Sequence, residues 1–324
     1  MSFFRRFTPQ PANGSPSAGR PRMSSLEKKE AIAAYLFVAP FIIGFLLFTL
    51  FPMVASFFIS FTEWDIARDP EWIGLENYAA MLEDEVLGIA IYNTIFFVII
   101  SVPLGLLTSF SLAVLLDQRV HLVGMWRTLF YLPSVMPAVA TTILWIWIFN
   151  KDFGLLNAML QWFGLPKVSW LVDPRFTRYT LIIMSLWQAG GGTVILLAAL
   201  KNVPTELYEA ATIDGASGWQ RFFFITIPMV SPALFFQLII GVIGAIQIFA
   251  QSYVLSGRST TSPGGPRNSL MFYVLYLYLN AFRYFNIGYA SALAWLLFMV
   301  IVIITVVQFK TVGRLVYYEV DQRR

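Results

Sequence analysis

Glu206–Val230 reads ELYEAATIDGASGWQRFFFITIPMV. Long charge-free windows lie on either side of it, at Tyr179–Leu200 and Phe222–Gly257. A plain connection between two apolar runs needs only a few polar residues. This one holds two acids close together, an alanine pair, an Asp-Gly step and a second helical pattern. Pro204 suits the first turn of a helix, where its missing N–H is not needed. Glu206 and Glu209 stand near that start, where the helix dipole favours acids. Leu207, Ala210 and Ala211 share a face on which the alanines leave room for close approach. Asp214-Gly215 ends the helix, because glycine takes a left-handed conformation that other residues resist. Ser217 and Gln220 have capping-box spacing for a second helix. Trp219, Phe222 and Phe223 follow and suit a membrane interface, and Pro228 opens the next apolar run. The pattern predicts a helix-turn-helix elbow over 201–228. It serves either to meet a partner or as a re-entrant connector packed only against its own bundle.

Composition sets the surroundings of the elbow. The chain has 324 residues, 58% hydrophobic and 12% charged, with a mean hydropathy of +0.69. Soluble domains carry about a quarter charged residues, so this is an integral membrane protein, embedded in a lipid bilayer. An aromatic content of 17% fits lipid interfaces. With no cysteine and one histidine, His121, the sequence offers no disulfide, thiolate or His cluster for a metal. The net charge of +4 bears on orientation in the membrane and not on nucleic acid.

Six charge-free windows locate the spans: Ala31–Thr62, Val86–Leu116, Thr128–Asn150, Tyr179–Leu200, Phe222–Gly257 and Tyr284–Phe309. Each exceeds the roughly 20 residues a helix needs to cross about 30 Å of hydrocarbon. Spans are therefore expected near 35–61, 89–116, 127–149, 179–200, 229–256 and 285–309, inside a transmembrane domain over 31–315. Pro133 and Pro137 are expected to kink the third. Asn268–Phe282 has only 15 residues, a length for an interfacial or buried helix. Residues 1–30, rich in Pro, Ser and Gly and carrying Arg20 and Arg22, read as a disordered basic tail. Residues 316–324 form a second tail. The expected fold class is an all-α membrane protein with six transmembrane helices.

Lys and Arg orient the spans. With a cytoplasmic N-terminus, the inner segments hold 14 of the 22 basic residues, from Arg5 through Lys201 and Arg221 to Arg324. The first outer segment, Glu63–Glu85, has one Arg against eight acids. The excess of Lys and Arg on one side places both termini, and the elbow, in the cytoplasm.

The elbow residues also carry a family resemblance. Glu209-Ala210-Ala211, three residues, Gly215, nine residues, Ile225, one residue, Ile227 and Pro228 resemble the EAA motif of ABC importer permeases. Ile227 stands where that family usually has Leu. Thr62–Asp65 (TEWD), Trp72–Tyr78 (WIGLENY), Phe153–Asn157 (FGLLN), Gly264–Pro266 (GGP) and Gly288–Ala292 (GYASA) look like its carbohydrate-importer branch. Within that branch the chain resembles the maltose/glycerol-phosphate type first subunit, without a large extra outer domain. The resemblance implies a type I ABC importer permease fold in a bacterial inner membrane. It implies partners: a second permease in a heterodimer, two cytoplasmic ABC ATPases and an extracytoplasmic sugar-binding protein. It also makes the elbow the helix that couples to the ATPase, with Glu209, Ala210, Ala211, Asp214, Gly215, Ala216 and Pro228 as coupling residues.

A sugar path needs hydroxyl partners and flat apolar faces. Gly244, Gln247 and Gln251 fall at i, i+3 and i+7 in the fifth span, with Gly241 continuing their face and Phe249 and Tyr253 flanking it. In the fourth span Gln188 precedes Gly190-Gly191-Gly192, where an irregular backbone is tolerated if it lines a cavity. Substrate-path candidates are thus Gln188, Gly241, Gln247, Phe249, Gln251 and Tyr253. Against this, each Gln could serve a helix–helix hydrogen bond and each Gly close packing. Asn93, Thr141, Thr142 and Trp295 read as packing residues.

No GxxxxGK[ST] phosphate loop is present, so ATP is expected on a partner subunit and no cofactor on this chain. A secondary carrier driven by an ion gradient is the rival reading, but all 18 acids lie outside the charge-free windows. An enzyme would want an acid–base pair or metal ligands at membrane depth. None is seen, and no catalytic residue or metal site is expected.

Overall fold

The computed structural model describes residues 25–118, 121–257 and 263–317. The chain divides into two compact units, Met1–Ala55 and Ser56–Arg324. In the first, α1 (Ser25–Phe45) passes through a π-helical turn, Leu46–Leu50, into α2 (Phe51–Ile59), whose residues from Ser56 on belong to the second. The tail expected over 1–30 lies outside the described residues as far as 24. From Ser25 the chain is helical, because Leu26, Lys28, Lys29 and Glu30 are good helix formers that extend α1.

In the second unit, β1 (Thr62–Glu63) and β2 (Glu71–Trp72) pair antiparallel, Thr62 opposite Trp72, a small addition to an otherwise helical architecture. Then follow α3 (Glu76–Glu83), α4 (Glu85–Asp117), α5 (Val123–Val135), α6 (Ala138–Ile148), α7 (Leu155–Trp162), α8 (Pro174–Trp187) and α9 (Gly190–Lys201). The elbow comprises α10 (Thr205–Ile213) and α11 (Gly218–Arg221). It leads into α12 (Ile227–Ile246), α13 (Ala250–Ser256), α14 (Tyr273–Phe282) and α15 (Ile287–Thr311). Among the described residues four helices are long and apolar enough to cross a membrane: Lys28–Ile59, Glu85–Asp117, Gly218–Ser256 and Ile287–Arg314. Counting each of two bent pairs as one span gives six. The ten-residue α14 is not among them.

Four expectations change here. The third span is broken, not kinked: α5 and α6 meet at 101°. Met136 is extended, as a residue before proline prefers, and Pro137 caps α6. The fifth span is also interrupted. Gln247 ends α12 and Phe249 starts α13 from a non-helical conformation, so Gly244, Gln247 and Gln251 do not share one continuous helix. Pro228 does not open its span, since helix runs unbroken from Gly218 through a π-helical turn, Phe222–Thr226, into α12. Both π turns end two residues before a proline, Pro52 and Pro228. A proline ring clashes with the carbonyl four residues back, and a widened turn makes room. Finally, Gly190–Gly192 are regular helix, and the irregularity lies just before them at Gln188–Ala189, where α8 and α9 bend by 42°.

Between apolar helices in lipid, close packing and internal hydrogen bonds replace the hydrophobic drive. α4 packs on α9 and α12 through small residues. Ala113 is fully buried, and a Cβ on Gly192 would come within 2.9 Å of Ser109 Oγ. Ser109 Oγ donates to Ala189 O (2.8 Å), satisfying a carbonyl at the bend. Asn93 Nδ2 donates to the carbonyls of Asn268 and Met271, both at 2.9 Å, and ties α4 to the chain before α14.

Candidate functional site

The elbow is built by local chemistry. Gly215 has φ +80°, and around it the Gly215 amide donates to Thr212 O (3.1 Å) and the Ala216 amide to Ala211 O (2.8 Å). This is a Schellman cap, which closes the last carbonyls of α10. Ser217 and Gln220 form the capping box: the Gln220 amide donates to Ser217 Oγ (3.4 Å) and the Ser217 amide to Gln220 Oε1 (2.7 Å). Tyr208 and Thr226 hydroxyls share a hydrogen bond of 2.9 Å, and Arg221 Nη1 donates to Thr212 Oγ1 (2.9 Å). These bonds bind the two arms of the elbow to each other. Tyr208 and Ile225 also pack against the buried Leu197, Leu200 and Val230.

Among the described residues, the other side of the elbow is left uncovered. Glu206, Leu207, Glu209, Ala210, Asp214 and Gly215 are exposed, and Ile213 is 86% exposed. Ala211, on the same helix face as Leu207 and Ala210, is half-buried. Among the described residues Glu206, Glu209 and Asp214 form no ion pair. Ala216 is half-buried, held by its cap bond, and Pro228 is half-buried within the helix. Acids and an exposed isoleucine on a rigid, doubly capped support suit recognition by another protein.

A cavity of about 570 Å³ opens between α4, the α8–α9 bend and the α12–α13 break. Gln188, Gly241, Gln247, Phe249 and Gln251 line it, as does Gly244. The broken helix still brings these residues together, because the break itself borders the cavity. Tyr253 does not line it. It is 45% exposed and packs with Phe249 and Tyr278 at ring distances of 5.5 and 5.3 Å. Gln188 Nε2 also reaches Thr141 Oγ1 at 3.4 Å, a helix–helix contact as well as a lining position. Gln247 and Gln251 make no side-chain hydrogen bond among the described residues and are free to receive a ligand.

Ser101, Ser109, Ser185 and Gln237 line the cavity too and were not read from the sequence. Their signal was present. Ser101, Gly105 and Ser109 repeat at i, i+4 and i+8 on α4, and Gln237 stands four residues before Gly241. No Asp, Glu, Lys, Arg or His is among the residues lining this cavity. Asn93, Thr141 and Thr142 are buried, and Trp295 Nε1 donates to Ser56 Oγ (3.2 Å), in keeping with packing roles. Among the described residues no group of acids and histidines is arranged to hold a metal.

A bundle of membrane-length helices with a neutral cavity at its helix breaks and a capped, exposed elbow defines a membrane permease built to work with other subunits. Residues 122–323 match the family described as the binding-protein-dependent transport system inner membrane component. The chain belongs to that family and is an ABC transporter permease, which rules out the ion-gradient carrier. It is 42% identical over 295 residues to the probable ABC transporter permease protein YesP of Bacillus subtilis, covering 90% of this chain and 94% of that protein. It is 33% identical over 297 residues to the trehalose/maltose transport system permease protein MalF of Thermococcus litoralis, covering 90% and 97%. A chain of the bacterial alginate ABC transporter, solved in complex with an alginate pentasaccharide-bound periplasmic protein, superposes with a TM-score of 0.79 at 24% identity. That match covers 89% of this chain and 96% of the other, and the fold is that of a type I ABC importer permease.

Proposed function

We propose that this chain carries an uncharged mono- or oligosaccharide as one of two different permeases in an ATP-driven importer. The observation that carries the reading is the central cavity. Its polar lining is made of hydroxyls and carboxamides, joined by Phe97 and Phe249. Amides and hydroxyls exchange hydrogen bonds with sugar hydroxyls without presenting a charge, and aromatic rings suit the apolar faces of a pyranose. The relatives include a trehalose/maltose and a lactose transport permease. The second permease completes the path. Two cytoplasmic ATPases bind the ATP, and an extracytoplasmic protein delivers the sugar. This chain performs no chemistry of its own.

In this reading the elbow faces the cytoplasm and docks on an ATPase, and both termini lie on the same side. Closure of the ATPases on ATP moves Thr205–Ile213, and the continuous helix from Gly218 carries that movement to the cavity. The test is uptake in proteoliposomes holding the whole complex and its binding protein, with labelled maltose, trehalose and lactose as probes. Uptake of at least one probe should require internal ATP and survive collapse of the ion gradients. Uptake of glucuronate or a sugar phosphate in preference to every neutral probe would overturn the assignment of an uncharged substrate.

A further inference from the structure

At the end of the bundle away from the elbow, α4 and α8 pack together, each starting behind a capping aspartate, Asp84 and Asp173. Arg178 stands just over one turn into α8, roughly 6 Å along its axis from Pro174. Its guanidinium carbon lies 5.2 Å from the centroid of Tyr92 and 5.0 Å from that of Phe96. Stacking on two rings fixes the plane of the guanidinium but does not neutralise it. Its Nη1 points to Asn93 Oδ1 at 3.5 Å, a long hydrogen bond, and its buried Nε–H has no acceptor. The ion pairs among the described residues are Arg68–Asp65 and Arg175–Asp173, and neither includes Arg178. A positioned cation with unused donors calls for an oxyanion.

The surroundings narrow the source of that oxyanion. Tyr92 is 58% exposed and Tyr179 is 48% exposed, beside the exposed Ile91, Ile95 and Ile99. Helical side chains lean toward the helix start, so Arg178 leans toward the membrane–water boundary. Exposed tyrosines, aliphatic surface and a cation at that depth suit a phospholipid headgroup. The central cavity, by contrast, has no charged lining, and the buried Phe97, Leu181 and Ile182 lie next inward from this site on α4 and α8.

We propose that Arg178, held on the rings of Tyr92 and Phe96 beside Asn93, binds the phosphate of an anionic phospholipid in the leaflet opposite the elbow. The site stands apart from the sugar path and does not depend on the saccharide assignment. The complete transporter, purified in mild detergent, is returned to nanodiscs of phosphatidylcholine with or without phosphatidylglycerol. Thermal melting and lipid retention in native mass spectrometry are then read for wild type, Arg178→Gln, Arg178→Lys and Tyr92→Leu. Phosphatidylglycerol should raise the melting temperature of wild type and leave that of Arg178→Gln unchanged. Retention by Arg178→Gln should fall about fivefold, the ratio set by one basic group at an anionic surface. Arg178→Lys and Tyr92→Leu should lie between. Equal retention by wild type and Arg178→Gln would overturn the proposal. If Arg178→Gln does not fold, equal retention by wild type and Tyr92→Leu would do so. Equal stabilisation of the phosphatidylcholine sample by inorganic phosphate or glucuronate would make this a solute site. Loss of the second permease from Arg178→Gln in phosphatidylcholine would make it a subunit contact.

Discussion

The backbone amide of Ala216 donates to the carbonyl of Ala211 at 2.8 Å, closing the first helix of the elbow across Gly215. Nothing lies within 4 Å of a Cβ built on Gly215, so a substitution there meets no steric wall. Its cost comes from φ +80° alone, about 1–2 kcal/mol for an ordinary residue. Asparagine tolerates this conformation better than alanine. We therefore expect Gly215→Asn to keep more ATPase bound and more uptake per ATP than Gly215→Ala, with both chains inserted normally. Co-purification and coupled uptake assays on the two variants check this. Equal losses would point to the missing glycine surface and not to the turn.

Gly190 and Gly244 separate packing from path. A Cβ on Gly190 would stand 1.9 Å from the backbone oxygen of Phe130, which cannot swing aside as a side chain can. Gly190→Ala must push α5 and α9 apart, and strain of this kind costs about 1–3 kcal/mol or more. Gly244 lines the cavity with nothing within 4 Å of its Cβ, so Gly244→Ala should fold normally. The expected outcome is a lowered melting temperature for Gly190→Ala at any substrate level. Gly244→Ala should melt like wild type and change the apparent affinity for substrate.

The elbow was legible because its signals are local. A glycine in the left-handed region and a Ser-x-x-Gln box act within a few residues of themselves, and both appear where the sequence puts them. The break at Gln247–Phe249 was not legible, since Gly244, Gln247 and Gln251 look like one helical face. What competes with the helix is tertiary: Phe249 packs against Tyr278 at 5.0 Å, and Ser252 Oγ donates to Leu270 O at 2.5 Å. The stretches that carried the family resemblance are also joined by contacts no single sequence displays. The Ile287 amide donates to Trp64 O (2.9 Å), Asn77 Nδ2 to Thr62 O (2.9 Å), and a Cβ on Gly288 would meet Thr62 O at 1.9 Å. TEWD, WIGLENY and GYASA thus form one structural knot.

Asn157, the last residue of FGLLN, acts in the same way. Its Nδ2 faces the carbonyls of Asn150 (3.4 Å), Lys151 (3.1 Å) and Val168 (2.9 Å). Its Oδ1 accepts from the Val168 amide (3.0 Å) and Trp170 Nε1 (3.1 Å). The side chain is 1% exposed, so water cannot replace a lost partner. Asn157→Asp would turn an acceptor toward three carbonyls and should cost about 3 kcal/mol or more, exceeding Asn157→Ala. Thermal melting, with limited proteolysis of 150–170 as a local readout, should place the variants in that order.

Asp84 joins α4 to α14 and α15. Its carboxylate accepts from the amides of Val86 (2.9 Å) and Leu87 (3.0 Å), from Tyr276 OH (2.5 Å) and from Tyr289 OH (2.6 Å). Burial pulls this carboxyl upward, but the four hydrogen bonds outweigh it and hold it below its ordinary 3.8. A folded value below the unfolded one gives stability that is present above pH 3.8 and lost as pH falls through the lower folded value. Asp84→Asn keeps a capping oxygen and loses the charge. At neutral pH it should cost about 1 kcal/mol after allowance for solvent screening. The gap between wild type and variant should narrow in melts taken below about pH 4. A gap that is constant with pH would mean the charge contributes nothing.

Orientation can be tested because the chain has no cysteine. Leu82 is 89% exposed just before α4, and Ile213 is 86% exposed at the end of α10. α4 carries the chain from the first toward the second, since its far end, at Leu116, packs in the cluster that includes Leu200 and Tyr208. The two positions therefore mark opposite sides of one membrane. If the excess of Lys and Arg sets the elbow inside, a membrane-impermeant maleimide should label Leu82→Cys on intact cells. Ile213→Cys should react only after permeabilisation. ATPase docking adds a second condition. With the ATPase present, Ile213→Cys should stay protected in permeabilised membranes, and adding Glu209→Lys should expose it. Labelling of Ile213→Cys from outside would reverse the topology. Equal labelling with and without the ATPase would leave the topology standing and remove Ile213 from the docking surface.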